Sequence, residues 1–263
     1  MASRLMYVLL ALTALGWCEG LSRYYEPAGQ FELYTGRRSR QSVEDYSDGR
    51  FNQPRSGRRT IVIVPYGDWD YSRDQQGLTR FLEAFFQLPV RWETSRPLAG
   101  RANRSKYSAD QIQRELRRRL PSDALAMLAL TQVDLYAEDS GPGRLLFGQG
   151  HYFNRTAVAS MNRLSNEQAS LRRHRLYKLA AHELLHTFNL RHCRRYRCLL
   201  NSSGSVAQSD RRPLHLCPEC LEKLQHAVGF DVEARYSDLV EATSEARPGD
   251  QQWFAARLAF LRQ

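Results

Sequence analysis

Beyond its first twenty residues the sequence has no apolar run of membrane-spanning length, so the remainder is expected to be soluble, with no membrane span. Lysine is nearly missing. Lys106, Lys178 and Lys223 are the only three, and arginine supplies the rest of a formal net charge of +10. The arginines occur singly and in short runs (117–119, 172–173, 194–195), without the aromatic interleaving of a nucleic-acid module. No specific nucleic-acid partner is expected; the surface is basic and solvated, and attracts acidic partners such as cell-surface polyanions. Internal repeats are absent. A hydrophobic share of 42% with 11% aromatics excludes a coiled coil, a collagen and a wholly disordered chain. At 263 residues the chain accommodates one sizeable domain with appendages, expected to be a monomer.

Cysteine is missing between Cys18 and Cys193. Residues 21–57 therefore offer no thiolate to any metal. Arg4 precedes an apolar stretch over residues 5–15 that only Thr13 interrupts, with Gly16 and Gly20 near suitable cleavage points. This reads as a signal peptide over 1–20 and predicts a secreted or extracytoplasmic protein. Trp17 before Cys18 is too bulky for lipid attachment at that cysteine. Residues 21–57 are rich in Arg, Ser, Gly, Gln and Tyr without apolar periodicity, and read as a flexible linker or pro-region. The folded domain is assigned to 58–263, with order beginning at Thr60.

Residues 60–65 are β-branched and predict a buried strand. Helical spacing runs through Leu78, Phe81, Leu82 and Phe85 until Pro89, and a strand follows at 90–93. Ser108 and Gln111 have the form of a capping box before a helix through Ile112, Leu116 and Leu120. Residues 124–130 read as another buried strand, and 144–148 and 156–161 as edge and inner strands. The alternation predicts an α/β sandwich in the first half. A long helix is predicted over 168–190, with Tyr177, Ala181, Leu184, Leu185 and Phe188 on one side and His182 and His186 pointing away. Further helices carry Leu221, Leu224 and Val228 up to Gly229, then residues 236–239 and 253–261.

The strongest local signal is His182-Glu183-Leu184-Leu185-His186. Histidines four apart on a helix are neighbours on one face, so both imidazoles can reach one ion. Glu183 stands about 100° around the helix, within reach of the ion's open position, where it serves as the base that takes a proton from water. His192 lies too far along to share the helix face, so the chain must turn back toward the metal. The bend needs a left-handed residue, for which asparagine is second only to glycine, and Asn189 stands there. Three histidines and an open position make a catalytic zinc site.

Cys193 and Cys198, then Cys217 and Cys220, form two closely spaced pairs. Such pairs mark a tetrahedral structural zinc with four thiolates. Disulfides 193–198 and 217–220 would close very small loops and stabilise little. In an oxidising compartment a cross-paired disulfide set remains open at this stage.

The run HExxHxxNxxHC-x4-C followed by CPxC resembles the archaemetzincins, a metzincin-like family. Similarity continues at 131–136, 146–149 and 159–163, and weakly through Arg235, Tyr236 and Trp253, covering about residues 60–260. The resemblance implies an α/β (α+β) fold: a metzincin-like twisted mixed sheet with an active-site helix, then a smaller, zinc-stabilised helical C-terminal part. It implies two Zn2+ ions, one catalytic at His182, His186 and His192 and one structural at Cys193, Cys198, Cys217 and Cys220. It also implies a zinc metallopeptidase acting on peptide or protein substrates, with Glu183 catalytic. Two departures stand out. The family often has glycine where Asn189 stands, and methionine where Leu200 stands as a hydrophobic floor. Leucine is close to methionine in volume. These departures leave a second reading: a catalytically inactive, zinc-stabilised binding protein for acidic or polyanionic partners. His151, His174, His215 and His226 lack ligand spacing, and Asp134 reads as structural. Asn103, Asn154 and Asn201 match the N-glycosylation pattern.

Overall fold

Strand β1 (Thr60–Tyr66) sorts its side chains by the two-residue period of a pleated strand. Ile61 and Ile63 join a cluster with Phe81, Phe85 and Leu184, while Val62 and Val64 face Ile112 and Leu116 on the opposite side. The computed structural model describes residues 40–67, 72–98, 106–141 and 143–263. The expected signal peptide, Cys18 and the Asn103 glycosylation pattern lie outside these residues.

Both faces of the main sheet are covered. Its order is β2-β1-β4-β8-β7, from β1, β2 (Val90–Trp92), β4 (Ala124–Thr131), β7 (Gly148–Gly150) and β8 (Thr156–Ser160). The first four strands of that order run parallel, and β7 closes the edge antiparallel to β8. A strand buried on both faces should be apolar throughout, and all eight residues of β4 are buried. A second, small sheet has the order β3-β5-β6, from β3 (Lys106–Ser108), β5 (Asp134–Tyr136) and β6 (Leu145–Leu146). The mixed α/β architecture agrees with the fold class expected from the sequence.

Helix α2 (Ser72–Phe86) and helix α4 (Ala169–Thr187) pack on one face, and α3 (Ala109–Arg118) covers the other. The Ser108 hydroxyl accepts a hydrogen bond from the Gln111 amide at 3.0 Å, giving α3 the Ser108 half of the capping box its sequence announces. Beyond α4 come α5 (Val206–Arg211), α6 (Pro218–Val228), α7 (Val232–Ala242) and α8 (Pro248–Leu261). Gly229 ends α6 in a left-handed turn at φ +79°. These helices have no separate core: Leu224, Tyr236, Leu239 and Phe254 belong to the same cluster as Phe81 and Leu184. Arg235 is buried in that contact. Its Nε donates to the Phe85 carbonyl at 2.7 Å, and its guanidinium lies 4.6 Å from the Phe85 ring centre.

Two features differ from expectation. Residues 144–148 split between two sheets, because Leu145–Leu146 pair with β5 while Gly148–Gly150 pair with β8. Order also starts well before Thr60. Residues 40–52 form a strap containing α1 (Val43–Ser47), capped reciprocally by Ser42 and Asp45. Single buried anchors replace periodicity here. Tyr46 is buried, its hydroxyl donates to the Phe188 carbonyl at 2.7 Å, and Asn52 Nδ2 donates to the Leu125 carbonyl at 2.8 Å.

Candidate metal centre

Helix α4 crosses the antiparallel edge of the sheet and is buried from His174 through its last residue. Along one face, at steps of four, come Lys178, His182 and His186. At its end the Asn189 amide bonds the His186 carbonyl at 2.9 Å, and Asn189 itself has φ +68°. That is the left-handed bend the sequence requires, and it sends the chain back so that His192 joins the other two histidines. One ring nitrogen from each lies within 4.8 Å of the others. The Nε2 atoms of His182 and His192 are 3.2 Å apart. Nitrogens about 2.0–2.1 Å from a zinc at tetrahedral angles stand about 3.3 Å from each other, so the donor set fits that ion.

The opposite ring nitrogens are already engaged. Nδ1 of His186 lies 2.7 Å from the Leu190 carbonyl, and Nδ1 of His182 lies 2.8 Å from the Leu199 carbonyl. A carbonyl only accepts, so Nδ1 of His186 carries the proton and its Nε2 keeps its lone pair for a metal. Nδ1 of His182 faces both the Leu199 carbonyl and the Arg212 guanidinium, with Nε2 on the side of His192. Burial pushes the His182 imidazole well down and His186 down to about 4, which holds both in the neutral, ligating form.

Glu183 is buried under β7. Burial pushes its carboxyl up to about 8, against the charge of Arg212 and a hydrogen bond from the Gly150 amide. The two glycines of β7 make this contact possible. A Cβ on Gly148 would stand 2.7 Å from Glu183 Oε1, and one on Gly150 would stand 2.3 Å from the Glu183 carbonyl oxygen. Glycine there provides space, because neither residue has a positive φ.

Arg212, which the sequence reading missed, is buried behind His182. One Nη1 contact goes to the Asn201 carbonyl at 2.9 Å, and the same nitrogen lies 2.9 Å from His182 Nδ1. Burial lowers its guanidinium to about 10. Lys178 is also buried, with Nζ 2.5 Å from the Ser209 carbonyl and 3.2 Å from that of Arg212. Arg212 has no spacing or neighbour in the sequence that distinguishes it from a surface cation, whereas Lys178 stands four residues before His182 on the same helix face.

The sulfurs of Cys193, Cys198, Cys217 and Cys220 lie within 4.8 Å of one another, and all four cysteines are free and buried. Cys193 and Cys217 sulfurs are 3.6 Å apart, far beyond a disulfide bond of about 2.0 Å. Around a zinc at about 2.3 Å the sulfurs of a tetrahedron stand about 3.8 Å apart, so this set also fits. The disulfide alternative is not the arrangement observed. Cys198 Sγ accepts from the amides of Leu200 at 3.5 Å and Cys217 at 3.3 Å, as a thiolate would. Burial pushes the Cys217 thiol up and neighbouring sulfurs push Cys220 up, whereas hydrogen bonds from the other sulfurs hold Cys193 down, so ligation by all four as thiolates would need a cation among them.

The two clusters share their framework. Leu199, between Cys198 and Leu200, supplies the carbonyl for His182, and Cys193 follows His192 directly. Leu200 is fully buried in the methionine position and its carbonyl accepts from the Cys193 amide at 2.9 Å. Asn201 is fully buried too. Its Oδ1 accepts from the Cys198 amide, and its Nδ2 donates to the carbonyls of Cys193 and Tyr196, so it braces the cysteine loop and offers no glycan site.

Other candidates fall outside the centre. Asp134 pairs with Arg163 at 2.9 Å. His174 Nδ1 lies 2.5 Å from Asp250, and His215 stacks on Trp253 with centroids 3.7 Å apart. His226 packs against Phe51, and exposed His151 accepts from the Phe153 amide at 3.4 Å. Asn154 is half-buried.

A helix presenting two histidines around a glutamate, a third histidine after a left-handed bend and four clustered thiols define a zinc metallopeptidase. The sequence profile described as Peptidase family M54 matches residues 87–226. Archaemetzincin-2 of Macaca fascicularis is 28% identical over 251 residues, covering 78% of this chain and 69% of that protein. Archaemetzincin-2 of Homo sapiens is 30% identical, covering 74% and 66%, and human archaemetzincin-1 is 32% identical, covering 71% and 46%. Among solved structures, archaemetzincin from Methanopyrus kandleri is similar at TM-score 0.57 and 28% identity, covering 66% of this chain and 97% of that one. The Archaeoglobus fulgidus archaemetzincin, crystallised with malonate, has TM-score 0.54 and 29% identity, covering 62% and 99%. The chain belongs to peptidase family M54, the archaemetzincins.

Proposed function

We propose that this protein hydrolyses peptide bonds, with one zinc held by His182, His186 and His192 and a second, structural zinc held by Cys193, Cys198, Cys217 and Cys220. The observation that carries the reading is the convergence of three imidazoles within 4.8 Å beside a buried glutamate. When bound, zinc supplies a Lewis acid that acidifies water and polarises the scissile carbonyl. Glu183, whose burial-raised carboxyl a bound cation would bring back down, takes the water's proton as the carboxylate and returns it to the leaving amine nitrogen. The amide of Gly150 holds that carboxylate in place, and the β7 glycines keep it close under the sheet edge. The carbonyls of Leu190 and Leu199 hold the rings with Nε2 toward the ion.

Catalysis is favoured over an inactive binding protein because both departures are accommodated. Asn189 adopts the bend at φ +68°, and Leu200 is buried without a polar partner to satisfy. The apolar stretch at residues 5–15 supports export, and among the described residues no helix is long and apolar enough to cross a membrane. The basic surface suits acidic substrates or surfaces. The test is Glu183→Gln, assayed on a peptide library by mass spectrometry with zinc measured in parallel. Turnover should disappear while zinc stays bound; full activity in the variant would refute the mechanism.

A further inference from the structure

The strap of residues 40–52 meets the zinc helix at its C-terminal end. That end leaves backbone carbonyls without helical partners, and the strap supplies donors for them. Tyr46 serves the Phe188 carbonyl at 2.7 Å. Gln41 does more. Its Nε2 donates to the Asn189 carbonyl at 3.1 Å, and its Oε1 accepts from the Arg191 amide at 3.1 Å. One side-chain amide thus grips both sides of Leu190, whose own carbonyl orients His186. The next residue after Arg191 is His192.

Gln41 is itself held. Lys223 Nζ, on α6 with Cys220, donates to the Gln41 carbonyl at 2.5 Å. Asn189 closes the arrangement from the other side, with Nδ2 donating to the Arg50 carbonyl. A glycine at 189 could make the bend but not this link. The asparagine at the bend therefore has a second use here beyond its backbone conformation.

We infer that Gln41 is a positioning residue for the third zinc ligand: the strap, tied to the cysteine-bearing helix through Lys223, fixes the 189–191 turn and with it His192. This rests on the reading of the histidines as a zinc site. The rival explanation is a segment that merely packs, and the two differ in whether the effect of Gln41 passes through His192.

The experiment is a double-mutant cycle on the full chain, with Gln41→Met, His192→Ala and the combination. Methionine keeps the length and removes both hydrogen bonds. Zinc retention is measured against increasing chelator by metal analysis, and cysteine-site occupancy by thiol reactivity. Outer-shell partners of ligands are worth about ten- to hundredfold in metal affinity, and Gln41 acts one step further out. Gln41→Met should weaken histidine-site zinc about five- to tenfold, leave the thiols protected, and have a clearly smaller effect once His192 is alanine, the remainder passing through Leu190 to His186. Asn189→Gly should weaken it in the same direction by less. Equal losses with and without His192, or a Gln41→Met protein that holds both zinc ions as tightly as wild type, would overturn the inference alone. Wild-type protein carrying zinc only at the cysteines would overturn the histidine-site reading and this inference with it.

Discussion

Gly148 and Gly150 lie two residues apart on the same strand, yet a methyl group at each should fail differently. At Gly148 the added Cβ meets Cγ, Cδ and Oε1 of Glu183 at 2.6–2.7 Å. Those atoms end a side chain that can swing, and ordinary contact at about 3.5 Å requires a retreat of about 1 Å. A displacement of that size costs about a hundredfold in rate when it falls on a catalytic group. The fold should notice less, about 1 kcal/mol. At Gly150 the Cβ would stand 2.3 Å from the Glu183 carbonyl oxygen and 2.6 Å from His186 Cβ. Backbone inside a buried helix cannot step aside, so the strand must lift. We expect about 3 kcal/mol of destabilisation there, or about 6–12 °C in a chain of this size. The assay pairs kcat on a cleaved library peptide with thermal melting and zinc content. Gly148→Ala should lose rate by about a hundredfold while keeping zinc and most of its melting temperature; Gly150→Ala should lose the melting temperature first. Unchanged turnover in Gly148→Ala, or equal stabilities for the two variants, would refute the argument that strand β7 fixes Glu183 by contact.

Purified mature protein should carry two zinc ions by metal analysis and His186→Ala one, with the thiols of the variant still protected; one ion in both would leave the cysteines alone occupied. Lys178 is buried with its ammonium pushed down to about 7 from 10.5. Between those values the unfolded chain holds a proton that the folded chain lacks, so this group makes stability rise with pH across that window and penalises folding below it. Comparing thermal melts of wild type and Lys178→Met from pH 7 to 9, the wild type should gain relative to the variant, by at most about 1.4 kcal/mol per pH unit; a constant difference would show that the lysine does not titrate there. Leu200→Met should change stability by less than about 1.5 kcal/mol and leave zinc content unchanged, as read by melting and metal analysis. A loss of zinc would show that the shape of that side chain matters beyond its volume.

The metal centre was legible in the sequence because its geometry is local. Histidines at 182 and 186 share a helix face by periodicity alone, and Asn189 announces the bend because few residues accept a left-handed backbone. The paired cysteines carry their own spacing signal. What supports these residues was not legible, since it depends on contacts across the chain. Arg212 reaches His182 over thirty positions of sequence, and Gln41 reaches Asn189 over 148. Gly148 and Gly150 matter through space they leave open, which no composition or periodicity records. Strands buried on both faces, such as β4, were readable as uniform apolar runs. The strap was not, because it is held by single anchors, Tyr46 and Asn52, instead of a repeating apolar face. Residues 144–148 looked like one strand since pattern alone does not assign consecutive residues to different sheets.

Leu199 sits between Cys198 and Leu200, and its carbonyl lies 2.8 Å from Nδ1 of His182. The histidine cluster is therefore completed by a loop that carries none of its three imidazoles. The dependence runs both ways: placing Cys198 and Leu200 places the carbonyl that meets His182, and placing His192 places Cys193 beside it, so a cation gathered at either cluster would favour the other.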